Sequence, residues 1–225
     1  MKIVIATNPF KGSISSVRAG EVISAALLDS IPKVKTDAVP IADGGDGTLD
    51  CIAASVPSEK VKKKVPDPLG RMRDSGYLLI DGGQAAVIEM ASASGLAMLK
   101  DAERDTTNAT AIGTGLLIRD AVARSVKRIL IGIGGSATTE GGMSAAVAMG
   151  YIFLDSKGNE LAPCGASLSK VAKIDTSAVM PGLSRLRITV ACDVTAPLAG
   201  PSGAAYVYAK QKGATPAQIK NLDSG

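Results

Sequence analysis

Four times along this chain an apolar run of strand length stops at a glycine-rich, polar loop. "KIVIA" (Lys2 to Ala6) runs into "TNPFKGS", and "KTDAVPIA" into "DGGDGT". "RILIGI" from Arg128 runs into "GGSATTEGG", and "LRITVA" into "CDVTAPLAGPSGAA". Repeated strand-to-loop junctions with helical periodicity between them restrict the chain to an α/β architecture. In open α/β sheets ligands bind at the carboxyl ends of strands, so the same loops are the candidate ligand-binding positions.

The helical segments between them are readable. From about Ser16, Ala19, Val22, Ile23, Ala26 and Leu27 follow the i, i+3, i+4, i+7, i+8 spacing of a buried face, and Pro32 closes the segment. A short helix is expected over Leu49 to Ala54. From Lys60 the texture changes to consecutive strands with Asp81-Gly82-Gly83 as a hairpin turn, a meander rather than a βα repeat. A boundary between Gly47 and Lys60 follows. Thr107/Asn108 reads as an N-cap before the stripe Leu117, Ile118, Ala121 and Val122. Met143, Ala146, Val147 and Gly150 supply the buried face of a later helix. "YIFLDSKGNEL" reads as a hairpin around Ser156 to Asn159, "GPSGAAYVYAKQKGAT" as a connection, and Thr215-Pro216 as a helix start.

Composition then removes whole classes of chemistry. The 225 residues contain no histidine, which excludes Ser-His-Asp and Cys-His nucleophiles and most catalytic zinc sites. Cys51, Cys164 and Cys192 are an odd, widely spaced set without a CxxC, so neither a zinc site nor a disulfide framework is indicated. Aromatic residues are 3% with no Trp, too few for base-stacking surfaces, and no nucleic-acid partner is expected. The net charge is +4. Its one dense basic run, "EKVKKKVPDP", reads first as a lysine-protected edge strand and second as an anion-binding patch. The opening "MKIVIATN" reads as a strand rather than a signal peptide, and no apolar run reaches about 18 residues, so a cytoplasmic protein without a membrane partner is expected.

Acid–base work without histidine falls to Asp, Glu, Lys and hydroxyls. Phosphoryl transfer needs backbone amides for phosphate oxygens, a lysine, carboxylates for Mg²⁺ and a carboxylate for the acceptor hydroxyl. The loops carry all four kinds of group: Lys11 and Ser13 in the first, Asp43 and Asp46 in the second, glycines and hydroxyls in the third, Asp193 in the fourth. The third loop has no Gly-Lys-Ser/Thr and is not a P-loop. Its "GIGGSA" fits G-x-G-x-x-A, yet no ribose-binding acid stands about 20 residues on. Pattern alone leaves this loop open between a phosphate cradle and a tight turn. Asp43 and Asp193 read equally as turn caps, Lys11 as a surface lysine, and Arg71 as a turn neighbour.

The segments "MKIVIATNPFKGSISS", "PIADGGDGTLD", "DPLGR", "AVIEMASASGL", "GTGLLI", "GIGGSATTEGG" and "ACDVTAPLAGPSGAAYVYAKQKGAT" run in the order found in bacterial glycerate kinases, and the chain resembles that family over nearly its whole length. The resemblance implies a two-domain fold, a Rossmann-like domain with an inserted α/β domain, and an active site in the cleft between them. It divides the chain into residues 1–48, the N-terminal part of a discontinuous Rossmann-like domain, and 49–225, an inserted α/β domain, incomplete at its end. It implies ATP- and Mg²⁺-dependent phosphorylation of D-glycerate, with 2-phosphoglycerate the favoured product and homo-oligomerisation left open. In that frame Lys11, Asp43 and Asp193 are the expected catalytic residues, and Asp46 and Glu140 the metal ligands. Ser13, Gly44, Gly45, Arg71, Gly134, Gly135, Ser136 and Thr138 would bind substrate or phosphate.

Several positions depart from the family. Thr7-Asn8-Pro9 stands for Pro-Asp-Ser, Thr139-Glu140 for Asn-Asp, and Thr195-Ala196 for Asp-Asn. "AKQKGA" (Ala209 to Ala214) stands for Gly-Pro-Gln-Lys-Gly-Ala. The family's "TGEGR-x-D" region is missing, so the alternative expectation is a truncated, catalytically inactive remnant that binds an anion or nucleotide.

Overall fold

The computed structural model describes residues 1–10 and 12–225. Its centre is a five-stranded sheet in the order β3-β4-β5-β6-β9: β3 Glu59–Pro66, β4 Met72–Ile80, β5 Ala85–Glu89, β6 Arg128–Gly132 and β9 Arg187–Ala191. β3, β4 and β5 form the expected antiparallel meander, with a tight turn at Asp81–Gly83, whereas β5, β6 and β9 run parallel. All five residues of β5 are buried, as a strand covered on both faces requires.

Helices supply the two covers. Helix α4, Ile112–Ala123, lays Leu117, Ile118, Ala121 and Val122 on Val61, Val65, Tyr77, Ile88 and Ile129. Helix α2, Thr48–Ser55, packs Leu49 and Ile52 against Leu78, Val87 and Leu130 on the opposite face. The strand β3 is an edge strand, with Val61 and Val65 buried and Lys60, Lys62 and Lys64 exposed, as the alternation implied. The sequence boundary at 48/49 falls on the first residues of α2, which joins the large sheet.

Ahead of it, β1 Lys2–Thr7, α1 Ser16–Ser30 and β2 Lys35–Pro40 form a parallel β-α-β unit. Here the expected helix face is corrected. Val22 and Ile23 are 46% and 39% exposed, and the covered face is Ser16, Ala19 and Gly20, with Ser24 bonded to Thr36 at 2.6 Å. Small side chains let α1 approach the two strands closely, so size rather than hydrophobicity chose the face: a Cβ on Gly20 would already stand 3.3 Å from the Ala38 Cβ.

Two further expectations are revised. α4 begins at Ile112 rather than near Asn108, because Asp105 takes the polar groups that would have capped it. Its carboxylate accepts from the Thr107 hydroxyl at 2.5 Å and the Asn108 amide at 2.7 Å. The segment read as a connection holds a helix, α6 Ala204–Tyr208. Ala205, Ala209 and Ala214 bury there with Ile219 and Leu222 of α7, Pro216–Ser224. Thr215 caps α7 as the sequence implied, with Gln218 bonding back to close a capping box. Between β6 and β9 lie α5, Met143–Ala148, and the strand pair β7 Ile152–Leu154 and β8 Lys173–Asp175. Among the described residues no helix is long and apolar enough to cross a membrane.

Candidate active site

Parallel pairing sets the carboxyl ends of β5, β6 and β9 side by side, and the Asp43–Gly47 loop after β2 reaches over the same end. The Gly134 amide donates to the Gly44 carbonyl at 3.1 Å, and the Ile133 amide to the Ala191 carbonyl at 3.4 Å. This approach needs bare backbone. A Cβ on Gly132 would stand 2.4 Å from the Gly44 oxygen, and one on Gly44, at φ +90°, 2.8 Å from the Ala191 oxygen. A Cβ on Gly135 would meet an Asp46 carboxyl oxygen at 2.8 Å, so that carboxylate lies directly against the third loop. Two of the four loops singled out in the sequence are thereby in contact, and the second also touches Ala191, the end of the strand that leads into the fourth.

The third loop is held from behind. The Leu96 amide donates to Gly135 and the Ala137 amide to Ser94, at 2.8 and 2.9 Å, around an antiparallel bridge between Gly95 and Ser136. Among the described residues the amides of Gly44, Asp46 and Gly135 bond to no acceptor. A set of unbonded N–H groups beside two carboxylates is the donor pattern of an oxyanion cradle with a cation position next to it. Asp43 is exposed and its Oδ1 accepts from the Gly45 amide at 3.0 Å, while Asp46 is exposed and forms no ion pair with a described residue. Asp193 is exposed two residues past β9, next to the loop through Ala191.

Other expected site residues are placed elsewhere or differently engaged. Lys11 lies outside the described residues. Ser13 is exposed in a turn closed by its amide on the Phe10 carbonyl at 2.9 Å. Arg71 gives Nε to Asp67 and a terminal nitrogen to Glu103, each at 2.7 Å, pinning the β3–β4 turn to the Asp101–Glu103 turn. Its other terminal nitrogen is buried and has no hydrogen-bond partner among the described residues. Glu140 is 2% exposed, and its two oxygens accept from the Ser144 hydroxyl and amide at 2.8 and 3.1 Å. That pairing holds the Glu140 carboxylate on the first turn of α5, and burial pushes its pKa up. Thr138 is buried, with its carbonyl rather than its hydroxyl engaged.

Two residues that sequence reasoning missed belong to this site. Lys212, 9% exposed, donates from Nζ to the Ser136 hydroxyl at 2.9 Å and the Thr138 carbonyl at 2.6 Å. Burial brings its pKa down to about 8, opposed by the charge of Glu140. Its position in "AKQKGAT" offered no local signal. Glu89, 6% exposed at the end of β5, accepts the Leu49 amide at 3.0 Å and so caps α2. An acid closing the otherwise apolar run "AAVIE" was a readable signal.

Burial raises the Glu89 pKa, with Asp46 and Asp50 adding to it. A carboxyl raised in the folded state contributes most at low pH, and the contribution is lost as pH rises through the folded pKa. Wild type should therefore lose stability relative to Glu89→Gln as pH rises above the unfolded carboxyl value of 4.5, by roughly 1.4 kcal/mol per unit of upward shift. Urea midpoints of both chains across that range check it; parallel curves would contradict it.

Among the described residues no group of three or more Cys, Asp or Glu side chains stands ready for a metal ion. Two carboxylates with an adjacent phosphate cradle still fit Mg²⁺, which is held by one or two carboxylates plus phosphate oxygens.

Comparison with known proteins bears on the family. The family model described as the glycerate kinase family matches residues 3–225. The chain is 40% identical over 223 residues to a glycerate kinase of Bacillus subtilis, covering 99% of this chain and 58% of that protein. It is 39% identical over 224 residues to the glycerate 2-kinase of Escherichia coli, covering 100% and 59%. A crystal structure of a protein assigned as glycerate kinase 2 from Salmonella typhimurium LT2 superposes with a TM-score of 0.86 at 42% identity, covering 100% of this chain and 61% of that one. The chain thus spans about three-fifths of the length of the relatives it matches. With the mixed α/β fold, the convergent loops and a match along nearly its whole length, this chain belongs to the glycerate kinase family.

Proposed function

We propose that these 225 residues form the phosphate- and acid-handling part of an ATP-dependent glycerate kinase that phosphorylates D-glycerate, at the 2-hydroxyl in preference to the 3-hydroxyl. The observation carrying this is the meeting of the Asp43–Gly47 and Gly134–Ser136 loops at the carboxyl end of the parallel strands, with unbonded amides beside two carboxylates. The Gly44, Asp46 and Gly135 amides hold phosphate oxygens, and Lys11 and Ser13 of the first loop add to them. Asp46, assisted by Asp43, would hold Mg²⁺, which when bound supplies charge neutralisation on the transferred group. The acceptor oxygen forms its bond to the γ-phosphorus as the β–γ bridging bond breaks, and the hydroxyl proton passes to Asp43 or Asp193. Lys212 and Glu89 reach neither substrate; they hold the third loop and α2 in register.

The named activities of the relatives support the glycerate assignment, and a cytoplasmic small-molecule enzyme is consistent with it. A coupled ADP-release assay on the product of the complete reading frame containing this chain, with D-glycerate against other small hydroxy acids, tests it. Turnover restricted to D-glycerate is expected, and no turnover with any acid overturns it. One observation favours a second reading: Val22 and Ile23 on α1 and Ile188 and Val190 on β9 are exposed apolar side chains. A fold with that much uncovered apolar surface suits a part that binds an anion without turning over by itself.

A further inference from the structure

A cleft of about 530 Å³ on the α2 side of the large sheet is bordered by Leu49, Lys60, Lys62, Ser75, Gly76 and Ser92. Strand pairing creates it. The β3–β4 ladder runs from Glu59↔Leu79 to Pro66↔Met72, but the β4–β5 ladder spans only Leu78↔Val87 to Ile80↔Ala85. Beyond that point β3 and β4 continue without β5, and the gap is bridged by the Ser75 hydroxyl donating to the Ser92 carbonyl at 2.8 Å. Gly76 stands across from Lys62, so one wall of the cleft is bare backbone.

The lysines divide by face. Lys63 points to the α4 side and is neutralised by Asp120 at 2.5 Å. Lys60 and Lys62 point to the α2 side and form no ion pair with any described residue. The acid bordering the cleft, Asp74, stands across from Lys64 in the register rather than from Lys60 or Lys62. Both lysines are exposed, as edge protection requires, and both also flank a recess of ligand size, which edge protection alone does not call for. Two of its lining residues are tied to one another through Glu89. Glu89 holds the Leu49 amide, and the Ser92 hydroxyl donates to the Glu89 carbonyl at 2.8 Å.

We propose that this cleft is an oxyanion subsite that takes the polyphosphate chain of a nucleotide, with Lys60 and Lys62 as its charge partners. The identity of the ligand rests on the kinase reading above; the oxyanion chemistry rests on the cleft alone. A three-carbon acid would fill little of a space this large, whereas a nucleotide's phosphates can span both lysines.

Calorimetric titration of the product of the complete reading frame containing this chain, with tripolyphosphate, ATP and D-glycerate each added alone, tests it without turnover. In the Lys60→Met/Lys62→Met chain, tripolyphosphate and ATP should bind about tenfold more weakly or worse, and D-glycerate within twofold of wild type. Lys64→Met, on the same strand but outside the cleft, should stay within twofold for all three. Unchanged thermal midpoints establish that the variants fold. No saturable tripolyphosphate binding by wild type, a double variant within twofold, an equal loss in Lys64→Met, or a loss confined to D-glycerate would each overturn the proposal. If tripolyphosphate behaves as expected while the ADP-release assay shows no turnover, the kinase reading falls and the oxyanion subsite stands.

Discussion

Lys212→Ala should destabilise the fold by about 3–5 kcal/mol, the cost of removing one member of a buried charged network. The ammonium is 9% exposed and holds two points of the third loop, the Ser136 hydroxyl and the Thr138 carbonyl. Truncation leaves both groups without their donor, opens a void along the lost stem, and strips Glu140 of the cation that faces it. Lys212→Met keeps the stem and should cost less, about 1–3 kcal/mol for the unmade hydrogen bonds. The two variants also separate packing from charge through pH. A lysine lowered from 10.5 to about 8 in the folded state is protonated in the unfolded chain and neutral in the folded one across that window. The unfolded chain binds more protons there, so this residue's contribution to stability rises as pH climbs from about 8 to 10.5, by up to ~1.4 kcal/mol per unit of pKa difference. Wild type should gain on Lys212→Met over that range in urea unfolding. A pH-independent gap between the two would show that the amine is not held as the structure has it.

What the sequence made legible follows from the range of the forces involved. The apolar runs that became β5 and β6, the lysine edge of β3, the capping of α7 by Thr215 and the stripe of α4 are local patterns, and each is present as read. Misreadings came where a non-local partner decided the outcome. On α1 the larger apolar residues implied one face, but close approach to β1 and β2 selected Ala19 and Gly20. The start of α4 was displaced because Asp105 captured Thr107 and Asn108. Within the site, glycine and aspartate mark the loops in the sequence, since a turn and a strand end are short-range features. Burial of a charge is not. Ser136 and Lys212 are 76 residues apart, and nothing in either neighbourhood announces the other. Glu140 reads as a loop acid from sequence, yet its own loop folds it back onto Ser144.

Asp43→Asn gives the cleanest separation of chemistry from structure in this site. The Oδ1 of Asp43 accepts the Gly45 amide at 3.0 Å, closing the turn that presents Gly44 to Ala191 and Gly132. Asparagine offers the same acceptor oxygen in the same place, so the turn should survive and the thermal midpoint should move by no more than about 2 °C. Only the charge and the proton-accepting capacity are lost. If Asp43 takes the hydroxyl proton, kcat should fall by roughly 10²–10⁴ in the product of the complete reading frame. Asp193→Asn is the necessary counterpart, because Asp193 is exposed beyond β9 and its carboxylate bonds to no described residue. Proton acceptance belongs to one carboxylate, so one variant should show the large fall in kcat and the other a milder change. An Asp46→Asn variant should instead raise the Mg²⁺ concentration needed for half-maximal rate, since its carboxylate lies against Gly135 at the cradle. If Asp43→Asn and Asp193→Asn both retain kcat within threefold of wild type, neither accepts the proton. The cradle would then bind phosphate without providing the base, and the acceptor would have to be sought outside these loops.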